Sequence, residues 1–498
     1  MSGNIQLALP LASLTGGAFV LYLIARLITR RNELLALFTA LVFVGALGML
    51  IPLFAMTGPE QASAPTWGYI ESGGPLTGAF LRTDPGGLVV AAVALGLGIL
   101  VALYSGRYLA LDQRYRLYYP LLLLLVAGSV GMLMAADLFN LYMFCELMSV
   151  AAYVLVAFRR RTDASIEAGF KYLIMGSVGT VIMLLGISFV YRETGTLALP
   201  APSSSSGTLG PWTRAGLGCL VVGLGVKSAI VPLHTWLPDA QNQAPSSVAA
   251  MLSGIIDQTA LYVLIKVSLG LGWSGYALGT WLIAFSFLNM AVGNLLALVQ
   301  TYTKRLLGYS TIAQIGYIML SMGIGLRYRS PEAIQAAVFL LVAHAAMKGL
   351  AFLSKGVCHF YCNTSTIEEL RGTAVQAPLV AATFSIALAG LAGIPPLAGF
   401  ASKWFVVGGI LQAADTLGYV VLAVFLLNSL VALGYYLPLI GKLFARETCR
   451  ALPRIQISPW MLIPLVILGT MVLAIGLYPE MVLGWTADVA PYLLMLGG

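Results

Sequence analysis

The chain has 498 residues, of which 59% are hydrophobic and only 9% are charged. A soluble protein carries roughly a quarter charged residues, so this composition excludes the soluble globular class and indicates a polytopic membrane protein. The net charge of +8 does not indicate nucleic-acid binding, because the basic residues fall in short loops, where they set membrane orientation.

Apolar stretches follow one another along the whole chain. A spanning helix needs about 20 apolar residues, and by this criterion the sequence predicts fourteen spanning segments. In chain order, segments 1 to 14 are 5–28, 34–57, 82–105, 117–136, 138–158, 168–191, 215–237, 247–271, 276–300, 304–325, 333–360, 378–411, 416–441 and 459–486. The predicted fold is therefore a single all-α transmembrane domain over residues 1–498, with the polar stretch at 200–211 as an exterior loop.

Proline interrupts two of these segments. Segment 7 has Pro232 and Pro238 near its end, and segment 12 contains Pro395 and Pro396 in its interior. Proline removes a backbone donor and breaks or kinks a helix. Two interrupted segments in corresponding positions, each with a nearby lysine, indicate inverted repeats with an ion site at each break. The alternative for segment 12 is a kinked helix that only packs.

The basic residues are distributed unequally between alternate loops. Sixteen lie in loops that follow odd-numbered segments, and five lie in loops that follow even-numbered segments. The odd set is Arg26, Arg30, Arg31, Arg107, Arg114, Arg116, Arg159, Arg160, Arg161, Lys304, Arg305, Arg371, Lys442, Arg446, Arg450 and Arg454. The positive-inside rule therefore predicts odd loops in the cytoplasm and both termini on the outer side of the inner membrane.

Ionisable side chains inside the segments are the candidates for function, because a charge at bilayer depth costs about 3 kcal/mol or more. Glu146 lies midway along segment 5, and Lys227 lies five residues before Pro232. A carboxylate at this depth must be protonated or paired, and we predict that Lys227 binds protons and that a neighbour can switch its charge. His234 follows the break and either relays protons or bonds a freed backbone carbonyl. Asp137 is predicted to cap segment 5.

Segment 11 carries His344 and Lys348 four residues apart, on one face of the helix. Lys355 and His359 extend this stripe. The pattern is typical of a proton path, although a histidine in a core is often simply hydrogen-bonded and a long side chain can reach the interface. Lys403 follows the double-proline break, where freed backbone groups can bind the water that proton transfer needs.

No haem, iron–sulfur or nucleotide pattern accompanies these residues. Cys358, His359 and Cys362 offer three potential metal ligands, whereas a closed structural site usually takes four. We therefore expect no cofactor, no metal, and no redox or hydrolytic site in the chain itself.

Several motifs occur together and in a fixed order. They are the stretch from Asp137 to Glu146, Pro-Leu-His-Thr-Trp-Leu-Pro-Asp-Ala at 232–240, Gln-Ala-Pro-Ser-Ser-Val at 243–248, Lys-Arg-Leu-Leu-Gly-Tyr-Ser-Thr-Ile-Ala-Gln-Ile-Gly at 304–316, and the Gly-Ile-Pro-Pro run at 393–396 with Lys403. In this combination the chain resembles the antiporter-like subunits shared by respiratory complex I, membrane-bound hydrogenases and Mrp-type cation/proton antiporters. Its length is similar to that of the medium-length Mrp and complex I members of this family.

The resemblance implies fourteen helices, with segments 4–8 (about 117–271) and 9–13 (about 276–441) as inverted repeats and segments 7 and 12 as broken helices. It implies that Glu146 and Lys227 form a switchable ion pair. It also places His344 and Lys403 on a central polar axis, with Lys403 at the exit half-channel.

One position departs from the family pattern. Many relatives carry a lysine in segment 8 where this chain has Gln258, and an amide does not titrate at neutral pH. Asp257 is adjacent but about 100° away round the helix, and Lys266 lies about two turns further on. The relay is therefore predicted to run through water and Gln258, to be rerouted through Asp257, or to be interrupted.

The function predicted from these residues is proton translocation by an antiporter-like subunit of a multi-subunit complex. That complex is either an Mrp-type antiporter or a redox-driven pump of the NADH-quinone oxidoreductase or hydrogenase type. The expected partners are other membrane subunits, lipid and protons, with Na⁺ as an alternative ion. Two alternatives remain, which are a structural subunit whose relay is interrupted and a stand-alone secondary solute transporter. The predicted proton-transfer residues are Glu146, Lys227, His234, Asp257, Gln258, His344, Lys348 and Lys403.

Overall fold

The computed structural model describes residues 5–27, 32–57, 66–69, 79–110, 112, 114–159, 163–199, 209–413, 415–446 and 456–497. The predicted exterior loop lies outside these ranges up to residue 208. Six residues of the orientation pattern also lie outside them, namely Arg30, Arg31, Arg160, Arg161, Arg450 and Arg454, and so does Cys449.

The described residues form helices almost throughout. The α-helices are α1 Ile5–Leu27, α2 Asn32–Phe54, α3 Pro85–Tyr108, α4 Tyr115–Met134, α5 Leu138–Val156, α6 Asp163–Thr194, α7 Pro211–Lys227, α8 Trp236–Gln243, α9 Ser246–Met251, α10 Asp257–Gly270, α11 Gly275–Leu298, α12 Thr303–Tyr328, α13 Pro331–Cys362, α14 Thr373–Gln376, α15 Pro378–Ala392, α16 Ala398–Leu411, α17 Thr416–Leu443, α18 Pro459–Leu477, α19 Glu480–Trp485 and α20 Val489–Leu496. A π-helical turn, Leu252–Ile256, joins α9 to α10, and a 3₁₀ turn covers Glu368–Leu370. Two short strands, β1 Thr66–Tyr69 and β2 Ala79–Arg82, pair antiparallel.

Twelve helical units within the described ranges are long and apolar enough to cross a membrane, so the prediction of a polytopic all-helical membrane protein is confirmed. Predicted segments 7 and 12 are not among the twelve. Each is divided by a break, segment 7 into α7 and α8 and segment 12 into α15 and α16. Pro238 does not contribute to the first break, because it lies inside α8.

The most buried spans are not the most apolar ones. All 18 residues of the apolar stretch that identifies the unit Ser246–Gly270 as a span are buried, and the same holds for α13, whereas 28% of the corresponding stretch of α17 is buried. The two buried units carry Asp257, Gln258, His344 and Lys348. The ionisable side chains therefore lie at the centre of the bundle, where they are shielded from lipid, and the apolar side chains of the outer helices face outwards.

The C-terminal end differs from the prediction of a single segment at 459–486. Helix α18 ends at Leu477, and Pro479 disfavours helical geometry at the residue before it. The chain then continues through α19 to α20, which the sequence did not predict. The carbonyl of Gly497 accepts a hydrogen bond from the amide of Gly275 at 3.0 Å, which ties this end to the start of α11.

Candidate functional site

The first helix break begins directly after Lys227. Helix α7 ends at this lysine, and Ala229 adopts a left-handed φ of 52°. The break leaves backbone groups without helical partners, and side chains bind two of them. The Val231 amide donates to Asn289 Oδ1 at 2.8 Å, and the Val226 carbonyl accepts from Trp236 Nε1 at 2.8 Å. The break is thus a defined structure that fixes the position of Lys227.

The Lys227 ammonium is bound to a tyrosine. It is 0% exposed, and its Nζ donates to the Tyr153 hydroxyl at 2.7 Å. Tyr153 contacts Tyr172 edge to face, with ring centroids 4.6 Å apart, and Tyr172 stacks on Trp236 at 4.0 Å. Two phenol groups therefore extend from Lys227 into the bundle. Each hydroxyl can both donate and accept a hydrogen bond.

Glu146 lies on the same helix as Tyr153 and is half-buried. It interacts electrostatically with Lys227, but no ion pair within 4.0 Å joins the two among the described residues. In this structure the bond to Tyr153 therefore takes the place of the direct ion pair that the resemblance implies. A switchable pair between Glu146 and Lys227 stays a prediction.

Asp257 follows a π-helical turn. This turn, Leu252–Ile256, shifts the helix by widening its hydrogen-bonded ring, a feature that is frequent at functional sites. The Asp257 carboxyl is 0% exposed, and neither of its oxygens has a hydrogen-bond partner among the described protein groups. It interacts electrostatically with Tyr172 and with Lys348. Asp257 is therefore electrostatically coupled to one of the two phenols, Tyr172, and to the lysine on α13.

Gln258 and His344 contact each other directly, through the Gln258 Nε2 and the His344 Nδ1. Both are 0% exposed. One turn further along α13, the Lys348 ammonium donates to the Leu307 carbonyl at 2.7 Å and also to the Ser310 hydroxyl. The structure thus brings segments 8, 10 and 11 together around these side chains.

The second break holds Lys403. The Lys403 ammonium donates to the Ala392 carbonyl at 3.0 Å, which is the last residue of α15. Gly393 has a φ of 88°, and a Cβ at this position would lie 2.8 Å from the Lys403 side chain. Only glycine satisfies both conditions at low cost. The double-proline break predicted at Pro395 and Pro396 is confirmed.

A polar network joins Lys403 to the neighbouring helices. The Lys403 ammonium lies 5.2 Å from the centroid of the Tyr317 ring. Asn294 donates to the Tyr317 hydroxyl at 3.2 Å and to Asn428 Oδ1 at 3.1 Å, and it accepts from the Tyr435 hydroxyl at 3.0 Å. Sequence reasoning missed Asn294 and Asn428, although an asparagine inside an apolar segment is a signal of this kind.

Other ionisable residues lie outside these clusters. His234 is half-buried in the first break, and its Nδ1 has no hydrogen-bond partner among the described groups. Lys171 has a half-exposed side chain and pairs with Glu167 at 2.7 Å. Asp137 caps α5 by accepting from the Asn140 amide at 2.8 Å, as predicted. The proton-relay role of His234 stays a prediction.

Lys266 belongs to a separate buried ion pair that the sequence did not predict. Its ammonium donates to Asp84 at 2.7 Å and to the Leu133 carbonyl at 2.7 Å. Asp84 also accepts from the Tyr262 hydroxyl and caps α3 through the Gly87 amide. The two charged side chains are 4% and 1% exposed. Lys266 thus has a buried counter-ion of its own in Asp84.

We expect Lys266→Ala to lower the free energy of unfolding by about 3–5 kcal/mol, because it leaves the Asp84 carboxylate buried without its counter-charge. The double variant Lys266→Met with Asp84→Asn should recover most of the loss, since it removes both charges together. Thermal unfolding of the full chain in detergent measures both effects. A Lys266→Ala variant that melts at the wild-type temperature would contradict this account of the pair.

Residues 135–429 match the family described as NADH:quinone oxidoreductase/Mrp antiporter, TM. All eight predicted proton-transfer residues lie inside this range. NADH-quinone oxidoreductase subunit N of Desulforudis audaxviator (strain MP104C) is 32% identical over 444 residues, which is 84% of this chain and 86% of that protein.

Two solved structures share the fold over nearly the whole length. One is a chain of the membrane-bound sulfane sulfur reductase, an archaeal respiratory membrane complex. It superposes with a TM-score of 0.86 at 24% identity and covers 99% of this chain and 98% of that one. The other is a chain of respiratory complex I from Thermus thermophilus with bound aureothin, with a TM-score of 0.75, 28% identity, and coverage of 95% and 98%.

Proposed function

The chain belongs to the NADH:quinone oxidoreductase/Mrp antiporter family of membrane subunits, and on that premise we propose that it translocates protons within a redox-driven multi-subunit complex. One observation carries the proposal. Asp257, His344 and Lys348 are each 0% exposed, in the two units that lie deepest in the bundle. Titratable groups are costly at this depth, and membrane proteins retain them mainly along ion and proton pathways.

The first half of the proposed pathway runs from Glu146 to Tyr172. Glu146 interacts electrostatically with both Lys227 and Tyr153. Its charge therefore biases whether Lys227 retains its proton, without direct contact between the two. A proton leaving Lys227 passes to the Tyr153 hydroxyl that the ammonium already contacts, and water connects this hydroxyl to Tyr172. His234 is proposed as an additional relay group at the break.

The second half runs through Asp257 to Lys403. Asp257 interacts electrostatically with both Tyr172 and Lys348, and buried polar oxygens almost always have a hydrogen-bond partner. We propose that water occupies this place and that Asp257 carries the proton that a lysine carries in other members of the family. Gln258 orients His344 by direct contact. Lys403, at the second break, receives the proton at the exit.

We also propose a number of membrane spans, a repeat structure and an orientation for the chain. Counting α7 with α8, and α15 with α16, as one interrupted span each adds two spans to the twelve continuous ones. The proposed fold therefore has fourteen spans, with inverted repeats at about 117–271 and 276–441. Each repeat contains one break with one lysine beside it. Both termini are proposed to lie on the outer side of the inner membrane.

The nature of the host complex is inferred from the relative named above. NADH-quinone oxidoreductase subunit N matches this chain over 86% of its own length, so we propose a complex in which electron transfer in partner subunits drives proton movement here. The residues described above supply proton binding and transfer. The redox chemistry belongs to the partners.

The experiment is to isolate the complex through an affinity tag on this chain and to reconstitute it in proteoliposomes with a lumenal pH indicator. We expect acidification on addition of NADH and a quinone, and its collapse with an uncoupler. The relative's name motivates NADH as the donor.

The alternatives predict other results. Acidification driven by a Na⁺ gradient without an electron donor would indicate an Mrp-type antiporter. Solute transport by the purified single chain would indicate a stand-alone transporter. A redox-driven complex whose proton yield is unaffected when the buried titratable groups are removed would indicate a structural subunit.

A further inference from the structure

A cavity of about 350 Å³ lies where several loops of one face of the bundle converge, on the side predicted to be cytoplasmic. Two of its lining residues, Lys355 and His359, lie on α13 beyond Lys348, and the relay proposed above assigns no step to either. Four basic side chains line it, contributed by three different parts of the chain: Arg159 after α5, Lys304 at the start of α12, and Lys355 and His359 near the end of α13. No carboxylate is among its lining residues in the described part of the chain.

The charges around this cavity are close enough to repel one another. The positive charges of Lys355 and Arg159 both interact electrostatically with Lys304. His359 interacts in the same way with Lys355, Lys304 and Arg159. Lys355 is only 1% exposed, so water screens its charge poorly. Like charges gathered in a partly dry site destabilise the fold unless an anion compensates them. The grouping therefore requires a physical explanation.

The neighbouring acids compensate this charge only in part. Asp112 pairs with Arg159 at 2.9 Å. Glu369 acts on Lys355, but its carboxylate already accepts from the amides of Ser365 at 2.6 Å and Thr366 at 3.0 Å. The two lysines are left with neutral acceptors as their contacts.

Hydrogen bonds to these neutral acceptors fix the positions of the Lys304 and Lys355 ammonium groups, and they leave donors on both groups for a ligand. Lys304 donates to the Ala244 carbonyl at 2.7 Å, and Lys355 donates to the carbonyl and hydroxyl of Thr364 at 2.7 and 3.1 Å. An ammonium has three donors, so each lysine retains at least one. The side-chain amides of Asn242 and Gln243 also line the cavity. The site thus offers several donors and a net positive charge.

We propose that this cavity binds a phosphate group. A tetrahedral anion accepts several hydrogen bonds at once and supplies the charge that Lys304 and Lys355 lack. The phosphate can come from an anionic phospholipid headgroup or from inorganic phosphate. Val299 and Tyr302, beside Lys304, are 70% and 44% exposed, so apolar surface able to contact acyl chains adjoins the site. Basic pockets between membrane helices on this side commonly bind lipid headgroups.

The test uses the delipidated full chain in a neutral detergent. Native mass spectrometry counts bound dioleoylphosphatidylglycerol and dioleoylphosphatidylcholine, and equilibrium dialysis measures radiolabelled inorganic phosphate. We expect phosphatidylglycerol to bind at least tenfold more tightly than phosphatidylcholine. Lys304→Gln and Lys355→Gln should each weaken that binding by roughly tenfold, since a charge-assisted hydrogen bond contributes about one decade in affinity. Lys442→Gln is the matched control, because this lysine lies on the same side but pairs with Glu368.

Each outcome decides the proposal. Selective phosphatidylglycerol binding without phosphate binding assigns the site to a lipid headgroup, and phosphate binding that Lys304→Gln weakens assigns it to the free anion. Binding that both glutamine variants leave unchanged overturns the proposal. The absence of any binding to the wild-type chain also overturns it. Melting temperatures control for misfolding. Without added lipid the variants should melt at the wild-type temperature, and they should lose only the increase in melting temperature that added lipid gives the wild-type chain.

Discussion

Lys227→Ala is expected to lower the rate of proton translocation by the assembled complex by about 10²–10⁴-fold, the range typical of a lost proton-transfer group. The Lys227 ammonium is 0% exposed and has the Tyr153 hydroxyl as its hydrogen-bond acceptor. Removing it leaves Glu146 without the positive charge on which it acts and interrupts the first half of the pathway. The initial rate of proton translocation into proteoliposomes that contain the reconstituted complex measures the effect.

Two further variants make this result interpretable. Lys227→Met keeps most of the side-chain volume and should lower proton pumping to the same extent. This result would show that the loss comes from the missing protonatable group and not from the cavity that alanine leaves. Lys171→Ala is the matched control, because Lys171 is a half-exposed lysine in a surface pair with Glu167, and surface pairs contribute little. Wild-type pumping by either Lys227 variant would remove this residue from the pathway, provided that the complex assembles normally.

Asp257→Asn is expected to lower proton translocation by at least about 10²-fold, because asparagine preserves the shape of the side chain but does not exchange a proton at neutral pH. The reason is that the buried Asp257 carboxyl interacts electrostatically with Tyr172 and Lys348, and neither of its oxygens has a hydrogen-bond partner among the described protein groups. The measurement is the same pumping assay.

Gln258→Leu is the matched comparison, since Gln258 is the next residue and equally buried. It should cause a smaller loss, because it removes the contact with His344 but no titratable group. The opposite ranking, with Asp257→Asn active and Gln258→Leu inactive, would indicate that protons pass through water held by the Gln258 side-chain amide and not through Asp257. Full pumping by both variants would favour the structural alternative.

Local chemistry makes much of this architecture predictable from sequence. The span boundaries follow from runs of about 20 apolar residues, and the double proline at 395–396 locates the second break. The first break is less predictable. Helix α7 ends at Lys227, five residues before Pro232, because Ala229 adopts a left-handed conformation and Asn289 from α11 binds the freed amide.

The sequence did not predict which side chains contact the buried charged groups. Lys266 lies about two turns along the helix from Gln258, and it pairs with Asp84, which lies 182 positions earlier in the chain. The π-helical turn before Asp257 adds a local rotation that a regular 3.6-residue period does not include. In the sequence, Tyr153 and Tyr172 have no feature that distinguishes them from aromatic core residues. In the structure, Tyr153 accepts a hydrogen bond from Lys227, and Tyr172 interacts electrostatically with Asp257. Such contacts depend on tertiary packing across distant segments.

The most direct test of a water-connected pathway is a cryo-electron microscopy map of the assembled complex at a resolution that reveals ordered solvent. We expect solvent density within hydrogen-bonding distance of the Asp257 carboxylate, continuing to the Tyr172 hydroxyl on one side and the Lys348 ammonium on the other. Apolar side chains filling the space between these three groups, with no solvent density among them, would contradict the proposed pathway.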